Sequence, residues 1–222
     1  MIFNKNNNGS AEVKKLLGFM YKSNKFENIE TFISIAERDM KRIISKSVLD
    51  AADSHYNSED YLKPDQSDEE KLLLDKLVNK IQLPLIINAY RLYAPSSDIE
   101  HGEAGRQISV RTELKPAFEW MIEKDNANLI DLYHTSVDIL LEFLDDNIEN
   151  EPIKALWNEN EIRKASKELF ISSASDFNKY FPINYSRRLF MSFLPFLAEK
   201  QRNIFKPCFT AEKYTEILAQ LK

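Results

Sequence analysis

An all-α fold is predicted for this sequence by three observations. Only four glycines occur in 222 residues, too few for a protein that turns repeatedly between strands. Apolar residues recur at three- and four-residue spacings over long stretches, the pattern of one continuous helical face. Eight prolines punctuate those stretches and separate them into segments. The expected architecture is a helical bundle with a long central helix, short extended segments and a smaller helical C-terminal unit. The two units are expected at residues 1–149 and 150–222.

The first unit opens with an Asn-rich lead, Asn4 to Gly9. Ser10 then caps a short helix that ends at Gly18, a natural C-cap residue. Phe19 to Tyr21 reads as extended. A longer helix is predicted from Ile29 to Tyr56, with Phe32, Ile33, Ala36, Met40, Ile44, Val48 and Ala52 on one face. Asn57 to Gln66 is a loop, and Ser67 with Glu70 forms a capping box for the next helix. Leu74, Leu77, Val78, Ile81, Leu85, Ala89 and Leu92 keep the helical period there. Pro84 is expected to kink or break that helix, and Pro95 to stop it.

A protruding loop, 94–114, follows with Gly102 and Gly105, and within it Arg106 to Thr112 reads as an extended arm. The stretch expected to organise the chain is Lys115 to Ile148. Its apolar residues, from Phe118, Met121 and Ile122 to Leu140, Leu141 and Leu144, keep one face. Pro116 fits the first turn, where a missing N–H has no partner to lose. At about 1.5 Å per residue this helix reaches roughly 50 Å.

Asn150 to Pro152 marks the boundary of the second unit. There Glu161 to Lys167 reads as a short helix, and Leu169 to Ser173 parallels Phe19 to Ser23. This suggests a weak repeat of residues 10–56, with coincidental reuse of the pattern left equally open. Asn184 is expected to cap a helix reaching Phe205, with Phe190, Phe193, Leu194, Leu197, Ile204 and Phe205 inward and Pro195 bending it. Thr210 to Leu221 closes the chain as a last helix.

Composition narrows the function. A net charge of -5 and the lack of a basic stripe argue against general nucleic-acid affinity, which needs clustered cations. No apolar run has the roughly 18 residues of a membrane span, and the first residues lack a signal-peptide core, so a soluble protein made in the cytoplasm is expected. The single cysteine, Cys208, leaves no partner for an intramolecular disulfide and is expected to be a small buried residue.

No catalytic pattern stands out. Asp131 and His134 share a helical face, but no Glu-x-x-His accompanies them, and His101 lies in a loop without a second ligand nearby. Neither a metal nor a cofactor is expected, and a metal-assisted hydrolase using His134 or His101 is a minor alternative. Gly102 and Gly105 match no phosphate-binding fingerprint. Arg187-Arg188, with Arg106 and Arg111, could meet phosphate or a partner's carboxylates, though solvated or interface charge is the default expectation. Trp120, Trp157 and the run from Tyr180 to Phe196 supply many aromatics, the residues enriched at protein interfaces.

Three stretches carry a resemblance: Met1-Ile2-Phe3-Asn4 with Lys14 to Phe19, the loop His101-Gly102-Glu103-Ala104-Gly105-Arg106, and Lys115 to Trp120. Together they resemble an uncharacterised family encoded by phages and prophages of gut Bacteroidota. The helical core from Ile29 to Ile148 is in turn similar to the head-to-tail connectors of tailed phages, called ring proteins in crAss-like phages. That resemblance implies a non-enzymatic virion protein forming a ring, commonly of about twelve copies, between the portal and the tail. DNA would pass through the ring without sequence-specific binding. The implied partners are the chain itself, the portal protein and tail or neighbouring ring proteins. His101, Gly102, Glu103, Gly105, Arg106, Arg111, Trp120, Arg187 and Arg188 are the candidate interface residues. The C-terminal unit departs from short connectors, and the rival expectation is a cytoplasmic helical adaptor or regulator of one phage or host protein.

Overall fold

A computed structural model describes residues 1–18, 25–63, 68–98, 100–102, 105–107 and 117–220. The described chain is all-α, with α1 (Gly9–Leu17), α2 (Glu27–Ile44), α3 (Lys46–Asn57), α4 (Glu69–Ser97), α5 (Glu119–Asp146), α6 (Ile153–Asn158), α7 (Glu161–Lys167), α8 (Ala174–Tyr180), α9 (Arg187–Lys200) and α10 (Ala211–Gln220). A single hairpin of two three-residue strands, β1 (Glu100–Gly102) and β2 (Gly105–Gln107), interrupts the helices among the described residues.

The centre is α4, and this corrects the expectation that Lys115 to Ile148 organises the chain. Helices α1, α2, α3 and α5 all pack on α4. Six consecutive residues, Pro84 to Ala89, are buried on every side of it. Helices apolar all round belong in a core, whereas a one-sided stripe needs only one neighbour. The start predicted at Lys115 is corrected as well. Phe118 is extended at φ -70° and ψ 149°, and α5 begins at Glu119. The helix is therefore about 42 Å long, and Pro116 lies outside the described residues.

Neither proline ends α4, which continues past the stop expected at Pro95 to Ser97. Pro95 falls in the last turn, where the Ser97 hydroxyl and the Asp98 N–H both donate to the Ala94 carbonyl, at 2.8 and 3.2 Å. At the other end the cap is Asp68, whose carboxylate accepts the Glu70 N–H at 3.1 Å. The predicted box residue Ser67 lies outside the described residues.

The single helix expected from Ile29 to Tyr56 is two. Ser45, at φ 76° and ψ 162°, separates α2 from α3 and lets both pack against α4. That backbone region is almost exclusive to glycine. In the Asn-rich lead, Asn4, Asn6 and Asn7 also have positive φ, which asparagine tolerates better than most residues. Ser10 is not the cap: the N-cap position is Asn8, which makes no side-chain cap bond, and the Gly9 N–H donates to the Asn4 side chain at 2.9 Å. Ser10 instead accepts the Phe26 N–H at 3.1 Å. Gly9 is needed for space: a Cβ there would lie 2.5 Å from the Phe26 ring.

Polar groups fasten these helices. The buried Gln82 amide on α4 donates to the Ile2 carbonyl at 2.7 Å. Tyr56 on α3 donates to Glu12 at 2.6 Å and accepts the Lys5 N–H at 2.7 Å. His55 and Asp75, both buried, join α3 to α4 at 2.7 Å. Sequence reading gave His55 no part, because its partner lies 20 residues away on another helix.

Two hydrophobic clusters form. The first gathers α1 to α5 with Ile153 and Trp157 of α6, and the second joins Leu169, Ala174, Ile183, Phe190 and Leu194. Helices α6 and α8 were not foreseen. The cap of α9 is Ser186, accepting the Leu189 N–H at 3.1 Å, where Asn184 was expected; Asn184 has φ 52°. Helix α9 ends at Lys200, and the π turn Gln201–Phe205 carries Ile204 and Phe205 outward to about half exposure, 54% and 50%. Those two do not face the core. Cys208, expected to be buried, is exposed because it follows that turn. The proposed counterpart of Leu169 to Ser173, Phe19 to Ser23, lies outside the described residues.

Two stability predictions follow from this packing. Leu85→Ala in the middle of α4 lowers the unfolding free energy by about 2–5 kcal/mol, whereas Ile130→Ala on the outside of α5 changes it by about 0.5 kcal/mol or less, both by urea titration. Ser45→Gly raises stability by about 1 kcal/mol in the same titration, because glycine relieves the left-handed backbone.

Candidate interface and pocket

Helix α5 has two halves with different surroundings. Its C-terminal half lies in the first cluster through Val137, Leu140, Leu141 and Leu144. Its N-terminal half leaves the core before that cluster begins. Phe118 is 66% and Trp120 59% exposed, and Met121, Ile122, Ile130 and Leu132 are exposed as well. An aromatic and aliphatic surface of this density on a free helix end is the kind that partners cover.

The hairpin precedes this half-helix in the chain. Its register pairs His101 with Arg106 and Gly102 with Gly105. Four of the predicted interface residues thus share one small ribbon, while Glu103 and Arg111, like the extended arm from Ile108 to Thr112, fall outside the described residues. Trp120 lies on the exposed half of α5.

Arg187 and Arg188 are placed elsewhere, where α9 meets the other half of α5. Asp138, Glu142 and Asp145 fall at i, i+4 and i+7 and form an acidic stripe along one face. The stripe receives the N-terminus of α9, whose dipole favours negative charge. Asp138 accepts the Ser186 hydroxyl at 2.6 Å and the Arg188 N–H at 2.7 Å. Arg187 donates to Asp145 at 3.0 Å and to Glu142 at 3.3 Å.

Asp145 is the meeting point of four elements. Besides Arg187 of α9 it accepts the Trp157 indole N–H of α6 at 2.9 Å and Arg163 of α7 at 2.6 Å. Arg163 also stands 6.0 Å from the centre of the Trp157 ring, a cation–π geometry. Sequence reading missed Asp145 and Arg163; the acid spacing on α5 was the signal that could have found the first.

Beside this carboxylate lies a half-open cavity of about 380 Å³, within the usual range for small-molecule sites. Its charged lining consists of Arg163, Lys167, Arg187 and the single acid Asp145. Trp157, Phe190 and Leu194 supply apolar wall. A second groove of about 340 Å³ on the C-terminal unit is bounded mainly by Leu169, Phe170, Tyr180 and Phe205.

His134 is half-buried on α5, and burial is the main force lowering its pKa below its ordinary 6.5, with the nearby Arg188 charge adding to it. Asp131 and Asp138 oppose that shift. Among the described residues no group of three or more His, Cys, Asp or Glu side chains gathers to hold a metal ion, and no helix is long and apolar enough to cross a membrane.

The class these features define is an all-α protein with an apolar half-helix left exposed among the described residues and a cationic interhelical pocket. Compared with protein-family models, curated proteins and solved structures, the chain matches none.

Asp145→Ala leaves the Arg163 guanidinium and the Trp157 indole N–H without their acceptor and Arg187 with Glu142 alone, and lowers stability by about 1–3 kcal/mol in urea titration. The pH dependence of His134 has a definite sign. Just below pH 6.5 the folded chain binds fewer protons there than the unfolded one, so stability rises with pH through that window and falls on acidification. His134→Gln therefore shows a smaller gain in unfolding free energy between about pH 5 and pH 7 than the wild-type chain.

Proposed function

We propose that this chain is a non-enzymatic structural subunit that packs against copies of itself through the N-terminal half of α5 and closes into a ring. The assembly it suits best is the head-to-tail connector of a tailed phage, with the portal and tail or neighbouring ring proteins as partners and the virion's head-to-tail junction as location. The supporting observation is the exposed apolar run of Phe118, just before α5, and Trp120, Met121 and Ile122 in its first turn, on a helix whose other half is fixed in the core.

That geometry suits a lateral contact. Aromatic anchors contribute most of the energy of many interfaces, and this end of α5 presents two of them, Trp120 on the helix and Phe118 just before it. A stable contact buries about 1,200–2,000 Å², more than two helical turns offer, so the hairpin at Glu100–Gln107 completes the patch in this reading. A contact between two different faces of the subunit closes into a ring when its rotation divides the circle. A net charge of -5 suits a channel through which DNA slides, since adhesion grows with each phosphate neutralised.

A second reading is a cytoplasmic helical adaptor that binds one phage or host protein. It is favoured by the aromatic surface of the C-terminal unit, where Tyr180 is 80% exposed and Phe181, Tyr185 and Phe196 are also exposed.

Sedimentation velocity at high concentration, with and without portal protein, separates the two. The ring reading predicts a multi-subunit species that Trp120→Glu abolishes, with the variant retaining its helical circular dichroism. A chain that stays monomeric beside portal and is indifferent to Trp120→Glu would contradict it.

A further inference from the structure

The cavity beside Asp145 has a chemistry that the assembly reading does not use. Three cationic side chains, Arg163, Lys167 and Arg187, line it with one carboxylate. Asp145 already divides its oxygens between the two arginines, and Glu142 takes a further bond from Arg187 at 3.3 Å. Lys167 reaches only the neutral Asn158 amide, at 3.1 Å. Charge in the cavity wall is therefore not balanced from within.

Donors remain as well. The Arg163 Nε is buried and has no hydrogen-bond partner among the described residues. Ser172 and Ser175 also line the cavity, and neither hydroxyl is engaged by another described group. Ser166 and Ser173, by contrast, are committed to the Arg163 carbonyl and to Asp176. Apolar side chains, Leu141, Trp157, Ile162, Phe190, Met191 and Leu194, make up much of the remaining lining.

We propose that this cavity binds a carboxylate carried on an apolar, ring-sized body. The carboxylate meets the arginine and lysine side with the free serine hydroxyls, and the body lies against Trp157 and Phe190. Arginine forks suit carboxylate and phosphate alike, but the apolar wall favours the single charge. A phosphate dianion would leave more hydration behind than cations already shared with Asp145 return. The carboxylate can come from a free small molecule or from the C-terminus of a peptide that ends in an apolar residue.

N-acetylphenylalanine is a suitable probe of the first source, and an acetylated pentapeptide ending in phenylalanine of the second. Trp157 fluorescence reads the binding in a Trp120→Phe background, which leaves one indole. The expected result is saturable quenching by either acid at about 1 mM or below, with the matching amide at least about tenfold weaker. Acid alone, peptide alone or both supports the site and identifies the source. Ser175→Asp, an exposed position in the first turn of α8 where an acid suits the helix, weakens binding about tenfold without loss of helical signal. No saturable response to either acid, equal response to acid and amide, or stronger binding of inorganic phosphate overturns the proposal. None of these outcomes depends on ring assembly, so either idea can fail alone.

Discussion

Burial of the middle of α4, Pro84 to Ala89, on all sides is the constraint from which the rest of the fold follows. A 29-residue helix with six consecutive buried positions cannot lie on a surface, so the chain must supply neighbours around its circumference. α1, α2, α3 and α5 are those neighbours, and the N-terminal strap through Ile2 and Phe3 closes the remaining side. The break at Ser45 becomes intelligible in this light. One straight helix would have covered a single stripe of α4, whereas α2 and α3 cover two.

The same constraint explains why α5 divides. Only the part that faces α4 is held, through Val137, Leu140, Leu141 and Leu144. Beyond Leu129 towards its N-terminus the helix keeps its apolar residues, but among the described residues they are exposed. The retained hydrophobicity of Phe118, Trp120, Met121 and Ile122 without a cover within the described residues is what makes assembly the reading of choice. The C-terminal unit is attached by apolar burial, with Ile153 and Trp157 of α6 in the first cluster, and by charge: the acidic stripe of α5 receives α9, and Asp145 ties α6, α7 and α9 to one point. This polar junction leaves the cavity beside it.

Much of this was legible in the sequence, and the failures have physical causes. The helical period identified the α4 and α5 stretches, and Glu161 to Lys167 is α7 as expected. Rank was misjudged, because a helical period drawn through Leu77, Ile81 and Leu85 hides that Ile86 and Ile87 are apolar too. Pro84 was expected to kink or break the helix and Pro95 to stop it, yet both are carried inside a helix held by its surroundings. Ser45 gave no local signal at all: a left-handed serine is imposed by what α2 and α3 must both reach. At the candidate site, Trp120 and the Arg187-Arg188 pair stood out as residue types. Their settings did not, because Asp145, Trp157 and Arg163 converge only after α6 and α7 fold back on α5.

The central claim is that the exposed half of α5 is covered by another protein chain in the assembled particle. Lys124, on that half, gives a direct test by cross-linking mass spectrometry on intact virions produced from a host expressing this protein. The account predicts cross-links from Lys124 to a neighbouring copy of the chain, together with links from the chain to portal and tail proteins. Absence of the chain from purified virions, or Lys124 cross-links confined to its own subunit, would contradict it.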